Sequence, residues 1–308
     1  CACPMATPSH RSFADSPRDV AGRHLYDARA ASAASVDPTP ASRDRVQRAL
    51  LDIVQPSDYV KWEYLSRQAL LARAVLAPGG QRPTRVLDVG CGYGALSLSL
   101  SEGEGVDIVG MDILGTRLES VRAKMSARNR ATIDRVRLVA ADAHRLPFRD
   151  ATFDAVVATE VLEHLDEPER LFREAHRVLR PGGRFLMTTP NAKALPYRML
   201  CFLPERAVQK LAASWTQESL HPDLLHPHGA MGTDSDPDRH RREGFTLPEV
   251  RAHAARVGLR MAVGYTYRIP LPDRVMAIIP RVLSRPLATW GTRPLPWGLQ
   301  LFAEFEKS

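Results

Sequence analysis

The sequence predicts an α/β fold: a largely parallel sheet with helices on both faces. Three observations carry that expectation. From Arg85 onward, short apolar runs alternate with segments of helical spacing, the rhythm that strand, crossover helix and parallel strand require. One of the runs, "FDAVVATE" (153–160), is mostly apolar, as suits a strand covered on both faces. A third, in "VLDVGCGYGALSLSL" (86–100), passes straight into three closely spaced glycines and then a helix-like stretch.

The elements follow in order. "SDYVKWEYLSRQALLARAVLA" (57–77) reads as a helix, with Ser57 or Asp58 at its cap and Val60, Tyr64, Leu70, Leu71 and Val75 at roughly helical spacing. Pro78-Gly79-Gly80 stops it. "RVLDVG" is the first strand, and "GALSLSLSE" opens a helix. "VDIVGMDI" (106–113) and "RVRLVAAD" (135–142) are the second and third strands, with the helix "TRLESVRAKMSAR" between them. After the fourth strand at 153–160, "EPERLFREAHRVLR" (167–180) forms a helix with Asp166 as its expected cap. Leu171, Phe172, Ala175, Val178 and Leu179 make its apolar face, and Pro181-Gly182-Gly183 is expected to end it. "RFLMTTPN" is the fifth strand. A Pro- and His-rich insert spans 192–243, followed by the helix "FTLPEVRAHAARVGL" and the strands "RMAVGYTY" and "GLQLFAEFEKS". Residues 1–43, rich in Ala, Ser, Pro and Asp without periodicity, are expected to be a disordered or loosely packed extension. Residues 44–308 then form one domain that carries the insert.

Composition narrows the class. The 308 residues, 44% hydrophobic and 25% charged, suit one large globular α/β domain with extensions, or a domain and a small cap. No apolar run approaches the ~18–20 residues of a membrane-spanning helix. The first thirty residues hold no continuous apolar stretch, so a secretory signal is not expected and a cytoplasmic location is. The first residue is Cys1, which sets the expected translation start at Met5 or upstream. Cysteines at 1, 3, 91 and 201 show no metal-finger spacing and fit a reducing compartment. The net charge of +7 comes largely from scattered arginines such as those of "DRHRRE" (238–243). These read as a solvated surface, with an anionic substrate or membrane surface as the alternative.

A strand that turns directly into a helix leaves the first helical N–H groups unpaired. Gly90, Gly92 and Gly94 let the backbone bend sharply and let a ligand approach it, as in nucleotide sites at the carboxyl end of a parallel strand. Gly90-x-Gly92-x-x-Ala95 also satisfies the loose dinucleotide fingerprint, so an NAD-dependent oxidoreductase stays open here. Asp112, ending the second strand, suits a pair of ribose hydroxyls in either case. Asp88 is placed to face a cationic amine across the loop, and Asp142, ending the third strand, to accept an adenine amino group.

With these residues and "FDAVVATEVLEHLDEPERLFREAHRVLRPGGRFLMTTPN" (153–191), the chain resembles the class I S-adenosylmethionine-dependent methyltransferases, ubiquinone/menaquinone type included. The resemblance runs over roughly residues 80–190. It implies a Rossmann-like seven-stranded, mostly parallel sheet with helices on both faces, an antiparallel last strand, and a lid inserted after strand 5. It implies further that Gly90, Gly92 and Gly94 underlie the methionine part of S-adenosylmethionine while Asp88 holds its amine. Asp112 would bind the ribose with Ile113 packing on adenine, Asp142 would take the adenine amino group beside Ala143, and Glu160 would lie close to the cofactor.

Methyl transfer from a sulfonium is an in-line displacement with an excellent leaving group, so the protein mainly aligns the acceptor and keeps it nucleophilic. Glu163 and His164 are the candidates for a weak base. On a helix, Glu160, Glu163 and His164 would share one face, and two carboxylates with an imidazole can hold a divalent cation. Ubiquinone-type O-methyltransferases and methyltransferases of small-RNA 3′ ends carry a similar acid-acid-His motif completed by a later histidine. Here His221, His226, His228 and His240 are available, with His226 as the expected fourth ligand. Bound Mg²⁺ would lower the pKa of adjacent hydroxyls, although magnesium prefers oxygen donors. A metal-free place near the pocket and a purely structural role remain open for the motif.

The expected activity is methylation of a small molecule, on a phenolic, quinone-precursor, sugar or secondary-metabolite hydroxyl. RNA 2′-O-methylation, the oxidoreductase and a catalytically inactive cofactor-binding protein are the alternatives. Nucleic acid is not an expected partner, because no aromatic-plus-basic surface is evident. "ALPYRMLCFLPERAVQKLAASW" (194–215) and "RVMAIIPRVLSRPLATW" (274–290) mix apolar and basic residues. Each either covers the acceptor pocket or rests on a bilayer surface. Tyr59, Trp62 and Tyr64 suit the opposite wall of the pocket or the core. No motif specifies an oligomeric state.

Overall fold

The run Arg85–Val89 forms β1, buried over all five residues and hydrogen-bonded on both sides. In a computed structural model, which describes residues 59–76, 85–101, 106–126, 134–194, 241–242, 244–269 and 281–308, this strand lies inside a seven-stranded sheet. The other strands are β2 (Asp107–Asp112), β3 (Val136–Ala140), β4 (Phe153–Thr159), β5 (Leu179–Pro190), β6 (Leu259–Tyr267) and β7 (Gln300–Lys307). Their order is β3-β2-β1-β4-β5-β7-β6. β7 runs antiparallel to both its neighbours, β5 and β6, and the remaining pairs are parallel. The expected extension (1–43) and most of the insert expected as a lid (195–240) lie outside the described residues.

Side chains alternate across a strand, so each strand feeds two cores. Val86, Ile108, Ala155, Val157, Leu186 and Phe302 point to one face. There they meet Leu71 and Val75 of α1 (Tyr59–Val75), Leu96 and Leu98 of α2 (Ala95–Ser101), and Val121 of α3 (Gly115–Ser126). Leu87, Val89, Val156, Phe185 and Phe305 point to the other. They pack with Leu171 and Phe172 of α4 (Pro168–Val178) and Val250 and Ala254 of α5 (Leu247–Arg256). Phe172, Phe185 and Phe305 form a mutual aromatic cluster, with centroids 5.5, 5.8 and 5.9 Å apart. A sixth helix, α6 (Arg281–Trp290), packs on α1. Among the described residues no helix is long and apolar enough to cross a membrane.

The stretch "LSLSLS" alternates like a strand yet forms the buried helix α2. Two of its hydroxyls are satisfied from within: Ser99 Oγ donates to the Ala95 carbonyl and Ser101 Oγ to that of Leu98, each at 2.6 Å. Two local expectations change at α4. The N-cap is Glu167 without a side-chain cap bond, with Pro168 beginning the helix, so Asp166 does not cap it. The helix ends at Val178, before Pro181-Gly182-Gly183. That turn is instead a bulge inside β5: Leu179 pairs with Phe153 and Arg184 with Ala155, while Gly182 takes φ +75°.

Two arginines fix α1 to the sheet. At its carboxyl end, Arg184 of β5 donates to the Ala74 and Val75 carbonyls at 2.9 and 2.6 Å and to Glu304 of β7 at 3.0 Å. A cation on the last helical carbonyls satisfies orphan acceptors and complements the helix dipole. From the middle of the helix, Arg67 reaches Glu160 beyond β4.

Candidate functional site

The strand order reverses between β1 and β4, and loops leaving their carboxyl ends diverge there. A crevice of about 290 Å³ opens at that point, near the lower end of the ~300–1,000 Å³ of small-molecule sites. Its walls are Gly90 after β1, Met111–Ile113 closing β2, Arg117 of α3, Ala141–His144 after β3, Glu160, Val161 and His164–Asp166 after β4, and Arg241.

The glycines divide the labour. Gly90 has φ +66°, and a Cβ there would meet Val161 Cγ2 at 2.4 Å. Gly94 has φ +76°, and its Cβ would stand 2.7 Å from Val121 Cγ1. Both are set by packing as well as by the left-handed backbone. A Cβ on Gly92 would meet nothing within 4 Å, so no packing there requires glycine, although Gly92 itself does not wall the crevice.

Asp112 ties the loop to β2. Its Oδ2 accepts the Gly92 N–H and its Oδ1 the Leu114 N–H, both at 2.9 Å, with Arg117 Nη1 3.8 Å from Oδ2. The residue is 3% exposed yet lines the crevice. A carboxylate offers about four lone-pair sites, so two remain for a diol. Past the end of the neighbouring strand β3, Asp142 accepts the His144 N–H at 2.8 Å and pairs with His144 Nδ1 at 2.7 Å, both through Oδ1. Its Oδ2 has no hydrogen bond among the described residues. Ala143 and the exposed Ile113 complete this end.

Asp88 sits elsewhere than the sequence reading expects. It is 2% exposed, does not line the crevice, and accepts a hydrogen bond from Ser97 Oγ of α2 at 2.6 Å. Burial pushes its pKa up to about 7, with the Asp112 charge adding and the Ser97 bond opposing. The carboxyl ties β1, just before the glycine loop, to α2.

The Glu160-x-x-Glu163-His164 motif does not form the expected helical face. Glu160 has φ +52°, and only Leu162–His164 make a single 3₁₀ turn, which cannot stack i, i+3 and i+4 side chains as an α-helix would. Glu160 is held by Arg67 Nη1, 3.2 Å from Oε2, and by the Thr188 hydroxyl, which donates to Oε1 at 2.9 Å. Glu163 is 1% exposed, accepts from Thr189 Oγ1 at 3.0 Å, and leaves Oε1 without a partner. Burial first, then the Glu160 charge, hold its pKa well above the usual carboxylate range. Glu160 and His164 line the crevice and Glu163 does not. Among the described residues no three His, Cys, Asp or Glu side chains come together as a cation site. His221, His226, His228 and His240 lie outside the described residues. The expected metal set of Glu160, Glu163, His164 and His226 is therefore not assembled by its first three members.

Sequence reasoning missed several residues at this site. The Glu163 carbonyl accepts the N–H groups of Arg241 and Arg242 at 2.7 and 3.2 Å, which brings residues 241–242 to the crevice. Arg241, read as surface arginine, lines the crevice and pairs with Asp166, Nε to Oδ1 3.3 Å. Arg67, Arg117, His144, Thr188 and Thr189 also escaped notice. Only His144, two residues beyond a strand-end aspartate, carried a local signal, the side-chain-to-backbone turn that Asp favours.

Residues 87–187 match the family described as a methyltransferase domain. Over 103 residues the chain is 40% identical to a 27-O-demethylrifamycin SV methyltransferase of Amycolatopsis mediterranei (strain S699), covering 33% of this chain and 37% of that protein. It is 37% identical over 111 residues to a ubiquinone/menaquinone biosynthesis C-methyltransferase of Pectobacterium atrosepticum, covering 35% and 43%. The chain thus spans less than half the length of these curated relatives. A Listeria monocytogenes structure assigned as an S-adenosylmethionine-dependent methyltransferase has the same fold, with TM-score 0.51 at 14% identity over 78% of this chain and 98% of that one. The likeness to methyltransferases thus rests on residues 87–187, the third of the chain that matches the methyltransferase-domain family.

Proposed function

We propose that the chain transfers a methyl group from S-adenosylmethionine to a small molecule, at a phenolic, quinone-precursor, sugar or secondary-metabolite hydroxyl. The observation that carries the reading is Asp112. Its carboxylate lines the crevice, takes two backbone N–H groups and keeps acceptor capacity for a diol. Asp142 Oδ2 and Ala143 suit an adenine edge, and the exposed Ile113 its face. When bound, the cofactor supplies an electrophilic methyl on a sulfonium. The work left to this chain is to orient the acceptor, exclude water and receive a proton. His164 is the lining side chain suited to take that proton. Glu163 contributes through its carbonyl, which anchors Arg241 and Arg242. Oxygen is the proposed acceptor atom; the relatives that share this stretch include an O-methyltransferase from Aspergillus sclerotiorum, 34% identical over 117 residues, as well as C-methyltransferases, and transfer to hydroxylated acceptors decides between them.

Competitive binding of labelled S-adenosylmethionine against NAD tests the reading. Retention of the label in the presence of excess NAD, followed by transfer to a hydroxylated acceptor from a metabolite panel, is the expected result. Tighter binding of NAD, or transfer to RNA alone, would overturn it.

A further inference from the structure

We propose that α6 and the turn after it form a docking surface for an anionic lipid bilayer, a role independent of the cofactor reading. At about 100° per residue, Val282, Pro286 and Trp290 fall in one stripe with Leu283 beside them. All four are exposed, Val282 at 77% and Trp290 at 46%. Ala288, on the opposite side, is buried, and the helix packs on α1. The apolar stripe is thus the outward face of a helix already seated by its other side. Trp297, 53% exposed in the turn before β7, extends it.

Charge selects the occupant. The run 281–303 contains three arginines, at 281, 285 and 293, and no Asp or Glu. Arg293 is exposed and has no acidic partner among the described residues. Exposed Lys193 adds to the rim: its N–H donates to Asn191 Oδ1 at 3.1 Å, and Asn191 Nδ2 donates to the Gly298 carbonyl at 2.8 Å, beside Trp297. Aliphatic and indole groups beside the exposed cations Arg293 and Lys193 are the chemistry of a bilayer interface: indoles sit at headgroup depth and each cation near an anionic surface adds attraction. The surface also lies at the crevice's end of the sheet. Arg268, just past β6, accepts from the Leu299 N–H at 3.1 Å and donates to the Gly291 carbonyl at 2.7 Å, and β5 ends beside them at Pro190.

Co-sedimentation of the full chain with phosphatidylcholine vesicles, with and without phosphatidylglycerol, tests this. At least tenfold stronger partitioning onto the anionic vesicles is expected, weakening as salt rises. Val282→Asp with Leu283→Asp, and separately Arg293→Glu with Lys193→Glu, should each reduce it tenfold or more while the melting temperature holds. Brominated lipid should quench tryptophan fluorescence in the wild type, and less so in Trp290→Ser with Trp297→Ser. No binding to anionic vesicles, binding indifferent to both pairs of substitutions, or self-association in lipid-free buffer abolished by Val282→Asp with Leu283→Asp would each overturn the proposal.

Discussion

Arg67 of α1 and Glu160 beyond β4 form an ion pair, Nη1 to Oε2 3.2 Å, at a residue whose backbone stands at φ +52°. A glutamate in the left-handed region costs roughly 1–3 kcal/mol and persists only where its surroundings over-determine it. The Thr188 backbone and hydroxyl and the Arg67 guanidinium supply that determination. The pair joins α1 to the crevice wall, so its loss is felt in both stability and site geometry.

Arg67→Ala and Glu160→Ala are each expected to destabilise the protein by about 1–3 kcal/mol, within the range for partly buried charge-assisted bonds. Because they remove the same contact, the double variant should cost less than the sum. Urea denaturation of all four proteins measures the coupling. A strictly additive cycle contradicts the role given to this pair.

Asp112→Ala should weaken S-adenosylmethionine binding at least tenfold, equivalent to about 1.4 kcal/mol. It also orphans the Gly92 and Leu114 N–H groups, so calorimetric affinity is to be read beside the melting temperature. Unchanged affinity removes the diol assignment.

The loop glycines should separate. Gly94→Ala forces a Cβ to 2.7 Å from Val121 at φ +76° and is expected to cost about 2–4 kcal/mol of stability. Gly92→Ala, with no atom within 4 Å of its Cβ, should cost only about 1–2 kcal/mol, for the left-handed backbone. Its larger effect should be on cofactor affinity. Equal stability losses in thermal melts would show that Gly92 is packed rather than open.

Asp88 makes stability depend on pH. Folded, it keeps its proton up to about pH 7; unfolded, it releases it near 3.8. Between these values the folded state binds the extra proton, so this contribution is fully present at low pH and is lost as pH rises through about 7. The slope reaches about 1.4 kcal/mol per pH unit. The Glu163 pKa is also raised and acts in the same direction. Asp88→Asn should therefore flatten, without abolishing, the fall in ligand-free stability between pH 5 and pH 8, and should melt above the wild type at pH 8. Denaturation at the two pH values checks both statements.

Sequence by itself determined the α/β rhythm, the parallel character of β1 to β5 and the position of Asp112 at the end of β2; Asp142 lies two residues past the end of β3. These follow from periodicity, a local property that a linear chain displays. Tertiary structure decided what the chain could not display. The "EVLEH" stretch reads as a helix until Thr188 and Arg67, from two other elements, hold Glu160 left-handed and leave one 3₁₀ turn. Asp88 looks like a ligand until Ser97 bonds it, and Asp166 looks like a cap until Arg241, 75 residues later, meets it. Side-chain direction and partner choice depend on groups dozens of residues away. They are settled by burial and hydrogen-bond satisfaction once the sheet has closed, and no local pattern records them.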